Sequence, residues 1–147
     1  LSDNGRSDVA FDLLLQEKNP SWLFSVNRGA TTIWEHWDSY TEANGIREGM
    51  NSFNHYGLGS VADWVYGVAC GIQTVEEKPG FEEILIEPHP TDKLEHLSAS
   101  IETPRGIVSS KWYHKDGKIR YEITTPVKTT IIIDGKKMVV EKGSYIF

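Results

Sequence analysis

The chain has 147 residues, of which 39% are apolar and 24% charged, enough for one ordinary domain or two small ones. Its net charge of −6 leaves no basic stripe to draw phosphates, so nucleic acid is excluded as an expected partner. No apolar run approaches the roughly 20 residues needed to cross a bilayer, and a membrane partner is not expected either. A single cysteine, Cys70, can build neither a disulfide framework nor a zinc knuckle. The opening Leu1-Ser2-Asp3-Asn4-Gly5 has neither the basic start nor the apolar centre of a leader and no initiator methionine. The expectation is therefore a chain that continues a longer protein, whose compartment stays open.

In chain order, the first predicted element is a helix opening at Ser7, with Asp8 in its first turn and Val9, Ala10, Phe11, Leu13, Leu14 and Leu15 behind it. Those apolar positions wrap most of the circumference, which predicts burial on nearly all sides. Residues 19–52 form a polar and aromatic stretch too long for a casual connection, and such stretches are usually functional. A second helix is predicted over 54–71, where Leu58, Val61, Val65, Val68 and Ile72 recur at three- and four-residue spacing. It contains Gly57, Gly59, Gly67 and Gly71, and each interior glycine costs about 1 kcal/mol against alanine.

Composition changes near residues 73–80. Beyond them, short alternating runs at 81–88, 97–101, 107–114, 118–124, 129–133, 137–140 and 144–147 read as strands. Pro104-Arg105-Gly106, Asp116-Gly117, Asp134-Gly135 and Lys142-Gly143 supply turns between them. About seven short strands at this spacing suggest an antiparallel sandwich. The expected organisation is a helical part over 1–73 and a β part over 74–147.

The stretch that carries chemistry is Gly29-Ala30-Thr31-Thr32-Ile33-Trp34-Glu35-His36-Trp37-Asp38-Ser39. Trp34 and Trp37 offer flat apolar faces of the kind that stack on sugar rings, with Glu35 between them as an acid or base. On residue types alone a blander reading leads: two core tryptophans flanking an exposed loop acid, since Trp is generally well buried. The second segment is Met50-Asn51-Ser52-Phe53-Asn54-His55-Tyr56-Gly57. His55 can bind a hydroxyl or stand near Glu35; against this, Asn51 and Asn54 read as caps and His55 as a satisfied ring. Asp38, Glu42, Glu48, His36 and His55 match no metal-ligand spacing. Asp63 reads as a solvated helix acid. Trp112, Tyr113 and Tyr121 could offer a sugar platform on the β part, but ordinary sandwich core and face packing is the leading reading.

Taken together, Pro20-Ser21-Trp22-Leu23-Phe24, the Gly29–Asp38 motif and Met50-Asn51-Ser52-Phe53-Asn54-His55-Tyr56 resemble the end of the catalytic domain of bacterial α-L-rhamnosidases, glycoside hydrolase family 78. The β part, entered through Pro79-Gly80-Phe81, is similar to that family's C-terminal domain. The resemblance implies a mixed α+β chain: the C-terminal helices of an (α/α)6 toroid followed by an antiparallel β-sandwich. It implies an inverting hydrolase that removes terminal α-L-rhamnose from glycosides or polysaccharides, without a cofactor or metal. On that resemblance Glu35 is the general base and His55 a rhamnose contact, with Trp34 and Trp37 as walls of the pocket.

The family's general acid and several sugar-binding acids lie in an Arg-Glu-Arg-containing segment far upstream, and these 147 residues hold no such segment. Inversion needs two carboxyl groups, so the resemblance implies an inactive piece whose partner is the N-terminal remainder of the same enzyme. Uncovered apolar faces, the first helix above all, lead to an expectation of self-association in its absence. Two other readings compete: a non-catalytic carbohydrate-binding or structural β-sandwich with a helical lead-in, and a glycosidase for another sugar on the same toroid.

Overall fold

Arg6 holds the carboxylate of Asp8 at 3.0 Å, and helix α1 (Ser7–Leu15) starts there in the computed structural model, which describes residues 1–147. Arg6, not Ser7, occupies the cap position. The expected all-round burial is not met: Phe11 is the buried residue of α1, and Leu13 is 50% exposed. Helix α2 (Trp22–Val26) opens on a true cap, because the buried Ser21 hydroxyl accepts the Phe24 amide at 3.0 Å. A short hairpin follows, with β1 (Tyr40–Thr41) antiparallel to β2 (Gly45–Ile46). These elements belong to a unit spanning Leu1–Ala62, whose buried apolar side chains are Phe11, Phe24 and Trp34.

The predicted second helix is not continuous. It breaks into a 3-10 turn at Gly57–Ser60, a single α-turn α3 (Val61–Trp64) and a wide π-turn at Val65–Ala69. The last turn is wide, with the Cys70 amide on the Val65 carbonyl, and the terminal carbonyls of the segment, which have no partner within it, find donors beyond it. Gly67 accepts from the Gln73 side chain at 2.9 Å, Val68 from the His89 amide at 3.2 Å, and Ala69 from the Trp112 indole at 2.9 Å. Gly71, at φ +74°, then ends the segment in the left-handed region that favours glycine. Asp63 is exposed.

A second unit, Asp63–Phe147, contains eight strands in two four-stranded sheets. They are β3 (Ile72–Thr74), β4 (Ile84–Ile86), β5 (His96–Thr103), β6 (Gly106–Lys115), β7 (Lys118–Thr125), β8 (Thr129–Ile133), β9 (Lys136–Val140) and β10 (Gly143–Ile146). One sheet runs β10-β7-β6-β5 and the other β3-β4-β8-β9. All seven predicted strands are present; β3, assigned to the end of a helix by its apolar spacing, is an eighth. One pair, β4 with β8, is parallel rather than antiparallel. Asp116-Gly117 and Asp134-Gly135 both take positive φ and form two-residue hairpin loops.

Alternation sorts the faces. Val108, Trp112, Tyr121 and Ile123 point inward and are buried, and Ile72, Ile84, Ile86 and Ile131 of the other sheet complete the core. Trp112 and Tyr121 are direct cross-strand neighbours inside it, so neither is a sugar platform. Tyr113 is half-buried on the opposite face, with the Lys111 ammonium 4.8 Å from its ring. No helix of the structure is long and apolar enough to cross a membrane.

Candidate active site

Two segments without regular structure build the site in the first unit. The Glu35 amide donates to the Ser52 carbonyl at 2.9 Å, and the His55 amide donates to the Ile33 carbonyl at 2.8 Å. The Thr32 hydroxyl donates to the Phe53 carbonyl. The two sequence motifs therefore lie side by side, and their backbone groups satisfy one another in place of a helix or sheet ladder.

The Glu35 side chain is 20% exposed, enough for a water to reach the carboxylate. The His36 ring lies beside it, with Nε2 3.9 Å from Glu35 Oε1 and 3.3 Å from the Met50 carbonyl. Trp34 is buried edge-on against Phe53, with ring centres 5.3 Å apart. Trp37 meets Trp22 edge-on at 5.2 Å, and the Trp22 indole N–H is fixed on the Leu58 carbonyl at 2.8 Å. The two indoles that flank Glu35 are thus oriented by neighbouring aromatic edges. The narrow cleft between them, lined also by Ile33 and His36, has room for about one water. His55 is half-buried; its Nδ1 accepts the Gly57 amide at 3.1 Å, and its ring lies parallel to the exposed Tyr56 ring at 5.4 Å.

Charged groups around this core are paired at the surface. Arg47 grips both oxygens of Asp38 at 2.8 and 2.9 Å. Arg28 lies over the Phe24 ring at 3.5 Å and reaches Glu42 at 2.9 Å. The Glu42 carboxyl is held below the usual carboxylate range by its own backbone amide and then by Arg28. Two of the acids weighed for a metal cluster, Asp38 and Glu42, thus face arginines, and no group of three or more His, Cys, Asp or Glu side chains is gathered to hold a metal ion.

Sequence reasoning passed over Ser39. It is fully buried, accepts the His36 amide at 3.1 Å, and lies 2.6 Å from Asn51 Oδ1. Its position three residues after His36 is the spacing at which Ser side chains close local turns, and that was the available signal.

Comparison with known proteins identifies the class as glycoside hydrolases. Residues 1–69 match the family model described as the bacterial alpha-L-rhamnosidase 6 hairpin glycosidase domain, and residues 71–144 match the bacterial alpha-L-rhamnosidase C-terminal domain. The chain belongs to the bacterial α-L-rhamnosidase family. An α-L-rhamnosidase of Formosa agariphila is 40% identical over 135 residues, which is 91% of this chain and 14% of the relative. One from an Alteromonas species is 39% identical over 127 residues, 86% of this chain and 14% of that protein. Among solved structures, the Streptomyces avermitilis α-L-rhamnosidase complexed with L-rhamnose superposes with TM-score 0.88 at 30% identity, covering 99% of this chain and 16% of that one. The Aspergillus terreus α-L-rhamnosidase superposes with TM-score 0.87 at 38% identity, over 100% of this chain and 18% of that one. The chain thus spans 14% of the length of these two curated relatives.

Proposed function

We propose that the chain is the C-terminal part of an inverting α-L-rhamnosidase and supplies the general base, Glu35, while the general acid comes from a preceding part of the same enzyme. In this reading Glu35 takes a proton from the water that attacks the anomeric carbon, and the remote acid protonates the departing glycosidic oxygen. His55 binds a hydroxyl of the terminal rhamnose, and Trp34 and Trp37 form part of the pocket wall. The substrates are rhamnose-terminated glycosides or polysaccharides.

The observation that carries the reading is the pairing of Ile33 and Glu35 with His55 and Ser52. Two motifs about 20 residues apart are held together by reciprocal amide–carbonyl bonds of 2.8 and 2.9 Å. A carboxylate that is 20% exposed on such a support can accept a proton from water while its backbone stays fixed. Inversion leaves roughly 6.5–9.5 Å between the two carboxyl groups, so base and acid need not be neighbours in the chain.

The test is the stereochemistry of the full-length enzyme, read by proton NMR in the first minutes of hydrolysis of an aryl α-L-rhamnoside. β-L-Rhamnose appears first if a water is activated directly; α-L-rhamnose appearing first contradicts inversion. The isolated 147-residue chain is expected to release no aryl alcohol above background, and enzyme-like turnover by it would show that the acid is not remote.

A further inference from the structure

We infer that Ser39 and Asn51 are positioning residues for Glu35, a pair of a buried hydroxyl and a half-buried carboxamide that locks the turn following the carboxylate onto the segment leading to His55. The inference rests on the reading of Glu35 as the general base.

Ser39 is 0% exposed although it lies in a stretch without helix or sheet. Burial of a hydroxyl is tolerated when it is hydrogen-bonded, and here it both accepts and donates. The oxygen accepts the His36 amide at 3.1 Å, which closes the four-residue turn His36–Ser39. Its proton points to Asn51 Oδ1 at 2.6 Å, with the His36 carbonyl at 3.0 Å as the alternative acceptor. The Asn51 amide returns toward the Ser39 carbonyl at 3.4 Å, and the Arg47 amide donates to that same carbonyl at 2.9 Å.

Glu35 lies between two sets of ties. Upstream are Thr32 to Phe53 and Ile33 to His55; downstream is Ser39 to Asn51. Its own amide is bonded to Ser52 in the middle. These bonds fix the Glu35 backbone on its N-terminal side and at its own amide; the Ser39–Asn51 pair, with the Arg47 amide on the Ser39 carbonyl, fixes the turn that follows without touching the carboxylate. Reactions of this kind are steep in geometry: a misplacement of about 1 Å can cost 10²-fold in rate.

The experiment uses the full-length enzyme with Ser39→Ala, Asn51→Ala, Asn51→Asp and Glu35→Gln, each checked for its melting temperature and active fraction. Ser39→Ala and Asn51→Ala are expected to lower kcat by about 10- to 100-fold with KM within about twofold of wild type, and to move the acidic limb of the kcat pH profile. Asn51→Asp keeps an acceptor for the Ser39 hydroxyl and is expected to recover most of the rate. If Ser39→Ala does not fold, the two Asn51 variants give the same reading. Wild-type kcat in the folded alanine variants, beside an inactive Glu35→Gln, overturns the positioning role and leaves the base standing. A loss confined to active fraction, with the pH profile unmoved, also overturns it. An active Glu35→Gln removes the base, and the inference with it.

Discussion

Trp112, fully buried on the inner face of β6, donates its indole N–H to the carbonyl of Ala69 at 2.9 Å. Like the last carbonyls of any helical segment, this one has no partner within its own segment, and the Trp112 side chain supplies it. Trp112→Phe keeps most of the apolar volume but leaves the Ala69 carbonyl without its partner. An unsatisfied buried acceptor costs about 1–3 kcal/mol, and the smaller ring adds a cavity. A total loss of about 2–4 kcal/mol is expected, measured as a lower urea midpoint at unchanged slope. No change in midpoint would mean the carbonyl finds another donor.

Gly71 is the most restricted glycine of the chain. Its φ is +74°, and a Cβ placed there would lie 2.1 Å from the Glu87 carbonyl carbon. The Glu87 amide also donates to the Gly71 carbonyl at 2.9 Å, so neither backbone is free to retreat. Gly71→Ala is expected to cost more than the ~1 kcal/mol of an ordinary left-handed substitution, about 3 kcal/mol or more. The check is loss of the sandwich's dispersed amide NMR signals, or a melting point lowered by well over 5 °C. Gly67→Ala, where a Cβ meets nothing within 4 Å, is the control and should be far milder.

Burial pushes the Cys70 thiol up to about 11 from 9.0. Unfolding exposes a thiol that ionises near its ordinary value, so between pH 9 and 11 the unfolded state gives up a proton that the folded state keeps. The contribution of Cys70 is therefore fully present below about pH 9 and is lost as pH rises toward 11, by up to about 2–3 kcal/mol. Tyr121, raised by burial and then by Asp134, adds to the loss in the same direction. Urea titrations at pH 8 and pH 10.5 measure the fall, and Cys70→Ala should remove most of it. The same burial predicts that a thiol reagent at pH 8 labels Cys70 only as the chain unfolds.

The β part was legible because its signals are local. Alternation at Ile119, Tyr121 and Ile123 and the Asp-Gly dipeptides at 116–117 and 134–135 each depend on a few adjacent residues. The helical part was less so. The 54–71 periodicity was real, but the carbonyls of Gly67, Val68 and Ala69 are claimed by Gln73, His89 and Trp112, partners that apolar spacing does not reveal. Ile72 fitted the helical spacing equally well and belongs to a strand. At the candidate site, the family motifs pointed to Glu35 and His55. The ties that place them, from Ser52, Ile33, Ser39 and Asn51, are backbone and buried-polar contacts without a one-residue signature.

The base is tested most directly by Glu35→Gln in the full-length enzyme, which preserves side-chain size and leaves the backbone bond to Ser52 intact. General-base assistance is typically worth 10²- to 10⁴-fold. Steady-state hydrolysis of an aryl α-L-rhamnoside is expected to show kcat reduced by that factor, with KM little changed and melting temperature within a degree or two of wild type. Turnover within about threefold of wild type would mean that the water is activated by another group, and would contradict the role proposed for Glu35.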